Sequence, residues 1–240
     1  YTAIGSDNQY IGAEIARLTT TGAQTKTITA IGFSDNLNLY AASSFPSSRA
    51  GMSSAMTITT AAGRTSDFTT AQGMMAGQIA AKFNNENGKF GVEAKAYNNL
   101  ELFGISNGRV QFDLFGDNAT VASVDVTVAN DNTTGLVAAV NSKTAETGIS
   151  ASVSGNGAIL LSKPDGNDIS LKNFSIANGT ISARQVDKFG EKVQTSAISI
   201  TSGKHVISGG QIELRSPDSF SLTYNGATQS SSAPPLMMVS

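Results

Sequence analysis

Catalysis in this chain would have to be built from its one histidine, His205, and its acidic residues. His205 lies within residues 202–206, a stretch that reads as a turn leading into a strand. A Ser-His-Asp triad needs a nucleophile and an orienting carboxylate around the imidazole, and the Gly-x-Ser-x-Gly elbow is absent. The His-Glu-x-x-His pattern of zinc proteases is also absent. We therefore expect no catalytic residue and no enzyme.

Metal ligation would have to come from three turns rich in Asp and Asn. Asp165, Asn167 and Asp168 form the first, and residues 117–118 and 131–132 resemble it. A calcium loop needs ligands at positions one, three and five together with a distant bidentate Glu, and none of the turns completes that spacing. With zero Cys, thiolate ligands are excluded. The Gly-Asn-Gly at 155–157 is typical of a hairpin turn and not of a phosphate-binding loop. The sequence predicts neither a metal nor a cofactor.

The composition excludes further partners. The chain has 240 residues, a formal net charge of -2 and only 14% charged residues, against a usual share of about 25%. It contains no run of Lys and Arg, so nucleic acid is not an expected partner. It contains no apolar run near the roughly 20 residues that cross a bilayer, so no membrane span is expected.

Most of the chain alternates between apolar and polar residues, which is typical of half-buried strands. The alternating segments are 27–31, 110–114, 124–128, 169–176, 197–200, 212–214 and 220–222. Asn-Gly pairs between them, such as Asn107-Gly108 and Asn178-Gly179, favour tight turns. The sequence therefore predicts a largely antiparallel β structure.

Two stretches carry helical spacing instead. Met75, Ile79 and Phe83 recur every four residues, and Leu136 and Val140 repeat that spacing on a shorter scale. Both predict short helices with one apolar stripe, the second behind possible N-caps at 132–134. A third helix is predicted at 10–18.

The two clearer helices belong to a predicted internal repeat. After a shift of 57 residues, Ile79–Ala96 aligns with Leu136–Val153 without a gap. The shared plan is a helix, a Gly turn at Gly91 or Gly148, a strand, a second turn and a second strand. Two units are predicted, at 70–110 and 121–176. The predicted fold class is α+β, mostly antiparallel β, with two helix-on-sheet units and a further β-rich subdomain.

Residues 135–171 resemble the flagellin/hook insertion motif. The matching segments are Asn-Ser at the helix end (141–142), Thr-Gly-Ile-Ser-Ala-Ser (147–152), Asn-Gly-Ala-Ile-Leu-Leu (156–161) and Gly-Asn-Asp-Ile (166–169). The first unit looks like a diverged copy, with Phe-Asn-Asn at 83–85 and no Asn-Gly between its strands. Two such units about sixty residues apart also resemble the outer region of some flagellins.

This resemblance implies an extracellular, surface-displayed structural domain of a bacterial flagellin, secreted to the flagellum and exposed on the motility filament. Other flagellin subunits would be its partners through terminal helices that this chain lacks. The alternatives are a surface module that adheres to polysaccharides, glycans or host receptors, and the outer domain of a filament cap or hook-associated protein. The family habit of inserting one domain in another predicts a discontinuous subdomain of 1–69 with 186–240, a second subdomain at 70–185, and chain ends on the same side.

The resemblance also implies surface glycosylation and antigenicity. Serine clusters at 43–44, 47–48, 53–54 and 230–232 are candidates for O-glycosylation, with simple loop solvation as the alternative. Asn-x-Ser/Thr triplets occur at Asn118, Asn132, Asn173 and Asn178. Four aromatic residues could line a sugar-binding face, but strand spacing favours core packing for them: Tyr97, Phe103, Phe112 and Phe115.

Overall fold

The computed structural model divides the chain into two units. It describes residues 8–11, 14–17, 26–31, 39–42, 55–60, 62–70, 74–87, 91–190, 192, 197–216, 218, 220–224 and 227–230. Unit 1 comprises Tyr1–Asp35, Ser48–Ala96 and Gln211–Ser240, and unit 2 comprises Asn36–Ser47 and Tyr97–Gly210. The division predicted from the sequence places its boundaries at 69/70 and 185/186. The predicted positions of the two chain ends lie outside the described residues.

The residues of unit 1 that the structure describes form antiparallel strands and one helix. Strands β1 (Asn8–Ile11) and β2 (Glu14–Arg17) form a hairpin, and β3 (Lys26–Ile31) pairs with β16 (Gln211–Ser216). A four-stranded sheet has the order β18-β17-β5-β6. Its strands are β5 (Ala55–Thr60), β6 (Thr65–Thr69), β17 (Phe220–Tyr224) and β18 (Ala227–Ser230).

The helix of unit 1, α1 (Ala76–Asn87), buries the apolar stripe that the sequence predicted. Ile79 and Phe83 belong to the core of this unit, and the Phe83 ring meets Phe68 of β6 edge to face at 5.4 Å between centroids. Met75 lies immediately before the helix, and its backbone N–H donates to Gln78 Oε1 at 3.0 Å. After the helix, β7 (Glu93–Phe103) begins in unit 1 and ends in unit 2.

Unit 2 contains two antiparallel sheets that share one apolar core. The first has the order β4-β15-β12-β8-β9, and the second has the order β10-β11-β7-β13-β14. The strands of the first are β4 (Leu39–Ala42), β8 (Gly108–Phe115), β9 (Ala122–Val128), β12 (Ile169–Ile176) and β15 (His205–Ser208). Those of the second, besides β7, are β10 (Ser150–Val153), β11 (Ile159–Lys163), β13 (Ile181–Gln185) and β14 (Ile198–Ile200). Phe112 of β8 packs against Phe174 of β12 at 5.1 Å between ring centroids.

Helix α2 (Thr134–Asn141) packs against β9 and β10, which are the end strands of the two sheets. Leu136 and Val140 are both 0% exposed within the common core. The N-cap position is Thr133, whose side chain makes no capping hydrogen bond. Asn132 precedes it, and its Oδ1 accepts hydrogen bonds from the N–H and hydroxyl of Thr134 at 3.0 and 2.6 Å. A four-residue helix, α3 (Thr144–Thr147), follows.

The prediction of an α+β fold with two equivalent helix-on-sheet units is wrong. The described part of the chain is mostly antiparallel β with few short helices. In the second segment, β10 and β11 form a hairpin across a 3-10 turn at Gly155–Gly157. In the first segment, β7 runs through the position of the expected turn as one strand of 11 residues. A strand has no reason to fold back there, because that segment lacks the Asn-Gly pair found in the second.

Two other expectations can be compared with the structure. The helix predicted at 10–18 is wrong, because strands β1 and β2 occupy this region. Its apolar residues at positions 11 and 15 therefore belong to a hairpin and not to a helix face. The seven alternating segments are confirmed as strands.

We expect Gly116→Ala to destabilise unit 2, because a Cβ at this position would lie 2.0 Å from the carbonyl oxygen of Thr147. Overpacking of this kind costs about 1–3 kcal/mol. Gly135→Ala is the matched control: it lies within α2 and its Cβ would meet Val126 at an ordinary 3.4 Å. Alanine is a better helix former by about 1 kcal/mol. In urea unfolding, the free energy of unfolding of the control should equal or exceed that of the wild type. An equal loss of this free energy in both variants would contradict the close contact between residue 116 and Thr147.

Candidate functional site

His205 supports a bulge in the sheet. The pairing of β12 with β8 shifts register between Lys172 and Ser175. At this bulge Asn173 has a φ of 53°, and its N–H donates to His205 Nδ1 at 3.1 Å. The imidazole therefore accepts a hydrogen bond from a backbone group that the shift in register leaves out of the ladder.

The Asp-rich turn binds a lysine that the sequence analysis did not single out. Lys163 ends β11 and its side chain is 1% exposed. Its Nζ lies 2.7 Å from Asp117 Oδ2 and 3.0 Å from Asp165 Oδ2. It also donates to the carbonyl oxygen of Thr147 at 3.4 Å. The ammonium thus contacts two carboxylates and one carbonyl oxygen, as a bound cation would.

This lysine lies directly under the Thr-Gly turn of the motif. Gly148 has a φ of 69° and caps α3 in the left-handed conformation. A Cβ there would lie 2.4 Å from Asp117 Oδ2 and 2.7 Å from Lys163 Nζ. Both the backbone conformation and the lack of space require glycine at this position. The Thr147 hydroxyl donates to the carbonyl oxygen of Lys143 at 2.9 Å and accepts the N–H of Ile149 at 3.1 Å.

The asparagine after each helix stripe makes the same pair of hydrogen bonds. Asn141 Nδ2 donates to the carbonyl oxygen of Ala151 at 2.9 Å, and Asn141 Oδ1 accepts the Ala151 N–H at 2.7 Å. Asn84 makes both contacts with Ala94, at 2.8 and 2.7 Å. We call this arrangement the Asn clip. It satisfies both backbone groups of one residue in the following strand, and it is shared by two segments that differ beyond it.

The asparagine side chains of the four Asn-x-Ser/Thr triplets make hydrogen bonds within the fold. Asn118 Nδ2 donates to the carbonyl oxygens of Leu114 and Thr120, and Asn132 Oδ1 accepts from the N–H and hydroxyl of Thr134. Asn173 Nδ2 donates to Asp113, and Asn178 Nδ2 donates to the carbonyl oxygen of Asn107. The serine clusters lie outside the residues whose side chains are described.

The four candidate aromatic residues do not form an exposed row. Tyr97 and Phe112 are buried. The Phe103 ring is covered by the guanidinium of Arg184 at 4.5 Å, and the Phe115 ring by the ammonium of Lys172 at 4.1 Å. Of these four residues, two are therefore buried in the core and two are half-buried beneath a cationic side chain.

Two further ion pairs link neighbouring strands. Glu101 of β7 pairs with Arg184 of β13 and accepts the Ser154 hydroxyl at 3.0 Å. On the exposed side of the β8–β9 pair, Arg109 donates to both carboxylate oxygens of Asp125. This hydrogen bond lowers the pKa of Asp125 and raises that of Arg109.

The described residues contain no group of three or more His, Cys, Asp and Glu arranged to hold a metal. Within that same part of the chain, every helix is too short or too polar for a bilayer span. The sequence analysis did not identify Lys163, and it did not assign a role to the two asparagines of the Asn clip. Asn84 and Asn141 were aligned by the repeat, which was the available signal.

Comparisons with known proteins give weak likenesses. No family model matches the chain, and no curated protein matches it. Among solved structures, it is similar to the D2-D3 domains of the flagellar cap protein FliD from Escherichia coli, at 17% identity and a TM-score of 0.23, covering 86% of this chain and 82% of that one. It is also similar to the D1-D2-D3 domains of that protein, at 14% identity and a TM-score of 0.24. That match covers 82% of this chain and 60% of the other. At these TM-scores the likeness does not establish a common fold.

We expect Asn141→Ala to loosen β10, because both hydrogen bonds to Ala151 are lost. The expected cost is about 1–2 kcal/mol, together with faster hydrogen exchange at the Ala151 N–H. The control is Ser142→Ala, which removes one hydrogen bond to Ala139, at 2.7 Å, and leaves the clip intact. Unchanged exchange at Ala151 in the Asn141 variant would contradict a stabilising clip.

We expect the two sides of the Lys163 cluster to respond differently to substitution. Lys163→Met removes the buried charge and leaves two half-exposed aspartates that water solvates, so the loss should be about 1 kcal/mol or less. Asp117→Asn combined with Asp165→Asn leaves the ammonium buried without a counter-charge, at a cost of about 3–5 kcal/mol. Urea unfolding measures both. A larger loss in the lysine variant would show that its attraction to the aspartates outweighs the desolvation of the ammonium.

Proposed function

We propose that this chain is an extracellular, non-catalytic structural domain of a bacterial flagellar protein, displayed outward from the flagellum. The observation that carries the proposal is the segment 135–171, whose residues resemble the flagellin/hook insertion motif. Its partners would be the other subunits of the flagellum, bound through parts of the protein other than this domain.

The geometry of the motif supports a scaffold role. Asn141 binds the backbone of β10, Gly148 forms the left-handed turn and Lys163 binds the two aspartates beside it. These contacts are made within the chain, so the polar groups of the motif serve to fix its shape. Such internal contacts would stabilise the shape of a domain that acts as a spacer outside the cell.

We propose that the flagellar protein to which this domain belongs (the parent protein) is a filament cap or hook-associated protein. We prefer these two over a filament flagellin. The preference for flagellin came from two matching units about sixty residues apart. Because β7 is one continuous strand, only one helix-and-hairpin unit is present among the described residues. The feature that favoured flagellin is therefore lost, while the single motif remains compatible with each of these proteins.

An antibody raised against this chain should locate the parent protein on intact cells of the source organism by immunogold electron microscopy. We expect gold at filament tips for a cap protein, or at the hook–filament junction for a hook-associated protein. Labelling along the whole filament would support a flagellar domain but overturn our choice of parent. Cells without flagellar labelling would overturn the proposal. Antibody absorbed with the purified chain is the control.

A further inference from the structure

Strand β10 lies at the end of the second sheet of unit 2, where a sheet can accept a further strand. Among the strands that the structure describes, β10 pairs with β11 alone. The N–H of Ser154 continues this antiparallel ladder by donating to the carbonyl oxygen of Ala158 at 2.7 Å. In such a ladder, every second residue directs both of its backbone groups away from the partner strand. Counting back from Ser154, the residues of β10 that face outward are Ala151 and Val153.

The sequence of this hairpin does not protect the outward edge. Residues 147–162 contain no charged residue and no proline, and β10 pairs with β11 in regular register. Val153 is 52% exposed. Natural edge strands avoid pairing with other chains through charges, prolines, bulges or a covering segment. Two other end strands carry a charge, Asp125 in β9 and Asp67 in β6, whereas β10 depends on a covering segment.

The covering segment is helix α2, which packs against β10, and the Asn clip attaches the helix to the strand edge. Asn141 Oδ1 accepts the Ala151 N–H at 2.7 Å, and Asn141 Nδ2 donates to the Ala151 carbonyl oxygen at 2.9 Å. These are the two hydrogen bonds that a residue of a neighbouring antiparallel strand would make. At this one residue, the side-chain amide therefore takes the place of a further strand.

A second copy of this chain is a partner that fits the edge. Two antiparallel copies of β10 related by a twofold axis can exchange the same backbone hydrogen bonds. With Ser152 at the axis, Ala151 of one copy would face Val153 of the other. No like charges would meet across this pair, because residues 147–162 are uncharged. Pairing of this kind closes at a dimer, since each copy contributes one β10.

We propose that the outward edge of β10 is a latent pairing surface for a second copy of this chain, and that the Asn141 clip keeps this surface closed. Loss of the clip would free both backbone groups of Ala151 and detach the end of α2 from the edge. The chain would then satisfy those groups by adding a strand from another copy. This role of Asn141 follows from the contacts of the strand edge and is independent of the parent protein proposed above.

The test is the mass of the whole 240-residue chain in solution, measured by light scattering after size-exclusion chromatography over a range of concentrations. The wild type should keep the mass of one chain, whereas Asn141→Ala should approach twice that mass as its concentration rises. Hydrogen exchange at the Ala151 and Val153 N–H should be fast in the dilute variant and slow in the associated one. A folded Asn141→Ala variant that stays monomeric would overturn the proposal.

Two further variants separate edge pairing from a general loss of stability. Val153→Lys, combined with Asn141→Ala, adds a like charge at the edge of each copy and should restore the monomer. Asn118→Ala is the matched control: it also removes an asparagine side chain that binds backbone groups, those of Leu114 and Thr120, but between β8 and β9. It should stay monomeric. Equal association of the Asn118 variant, or association that survives Val153→Lys, would assign the effect to something other than the β10 edge.

Asn141→Asp covers the case in which Asn141→Ala fails to fold. Its carboxylate can still accept the Ala151 N–H, but it has no donor for the Ala151 carbonyl oxygen, so only half of the clip remains. We expect the mass of this variant to rise with concentration as well. If Asn141→Ala is unfolded and the Asp variant is strictly monomeric, the clip does not guard a pairing surface.

Discussion

The Asn clip is the contact on which the local structure of both units depends. One asparagine side chain binds both backbone groups of an alanine ten residues ahead, in Asn84–Ala94 and again in Asn141–Ala151. It fixes the distance between the end of a helix and the start of the next strand. The glycine between them, Gly91 or Gly148, has a positive φ in both cases. Helix, turn and strand are therefore set by one side chain and one backbone conformation.

In unit 2 this local arrangement has a consequence for packing. Helix α2 lies against the end strands of both sheets, and its buried face enters the core that they share. A sheet edge left open presents unpaired backbone groups to other chains, and a helix held in place by Asn141 covers that region. The buried Lys163 then attaches the turn after the helix to two aspartates. Such a unit is suited to support and display, which agrees with the proposed function.

Much of the fold could be predicted from the sequence because strand alternation and helix stripes are local patterns. The strands around Val110, Val124 and Ile169 and the buried face of α1 follow from side-chain spacing alone. The equivalence of the two repeat units could not be predicted in the same way. Whether a strand turns back after Ala96 or continues to Phe103 depends on its neighbours. Residues 98–102 pair with β11 on one side, and residues 100–103 pair with β13 on the other. Burial along that length favours one continuous strand.

The sequence by itself determined the antiparallel character, the helix stripes and the glycine turns, because each depends on residues close together along the chain. It also gave no pattern for catalysis. Only the tertiary structure decided the role of Lys163, whose aspartate partners are 46 and 2 residues away, and the buried hydrogen bond between Asn98 and Ser208, which are 110 residues apart. Long-range polar contacts leave no periodic signal, since their partners are chosen by the packing of strands and not by their spacing.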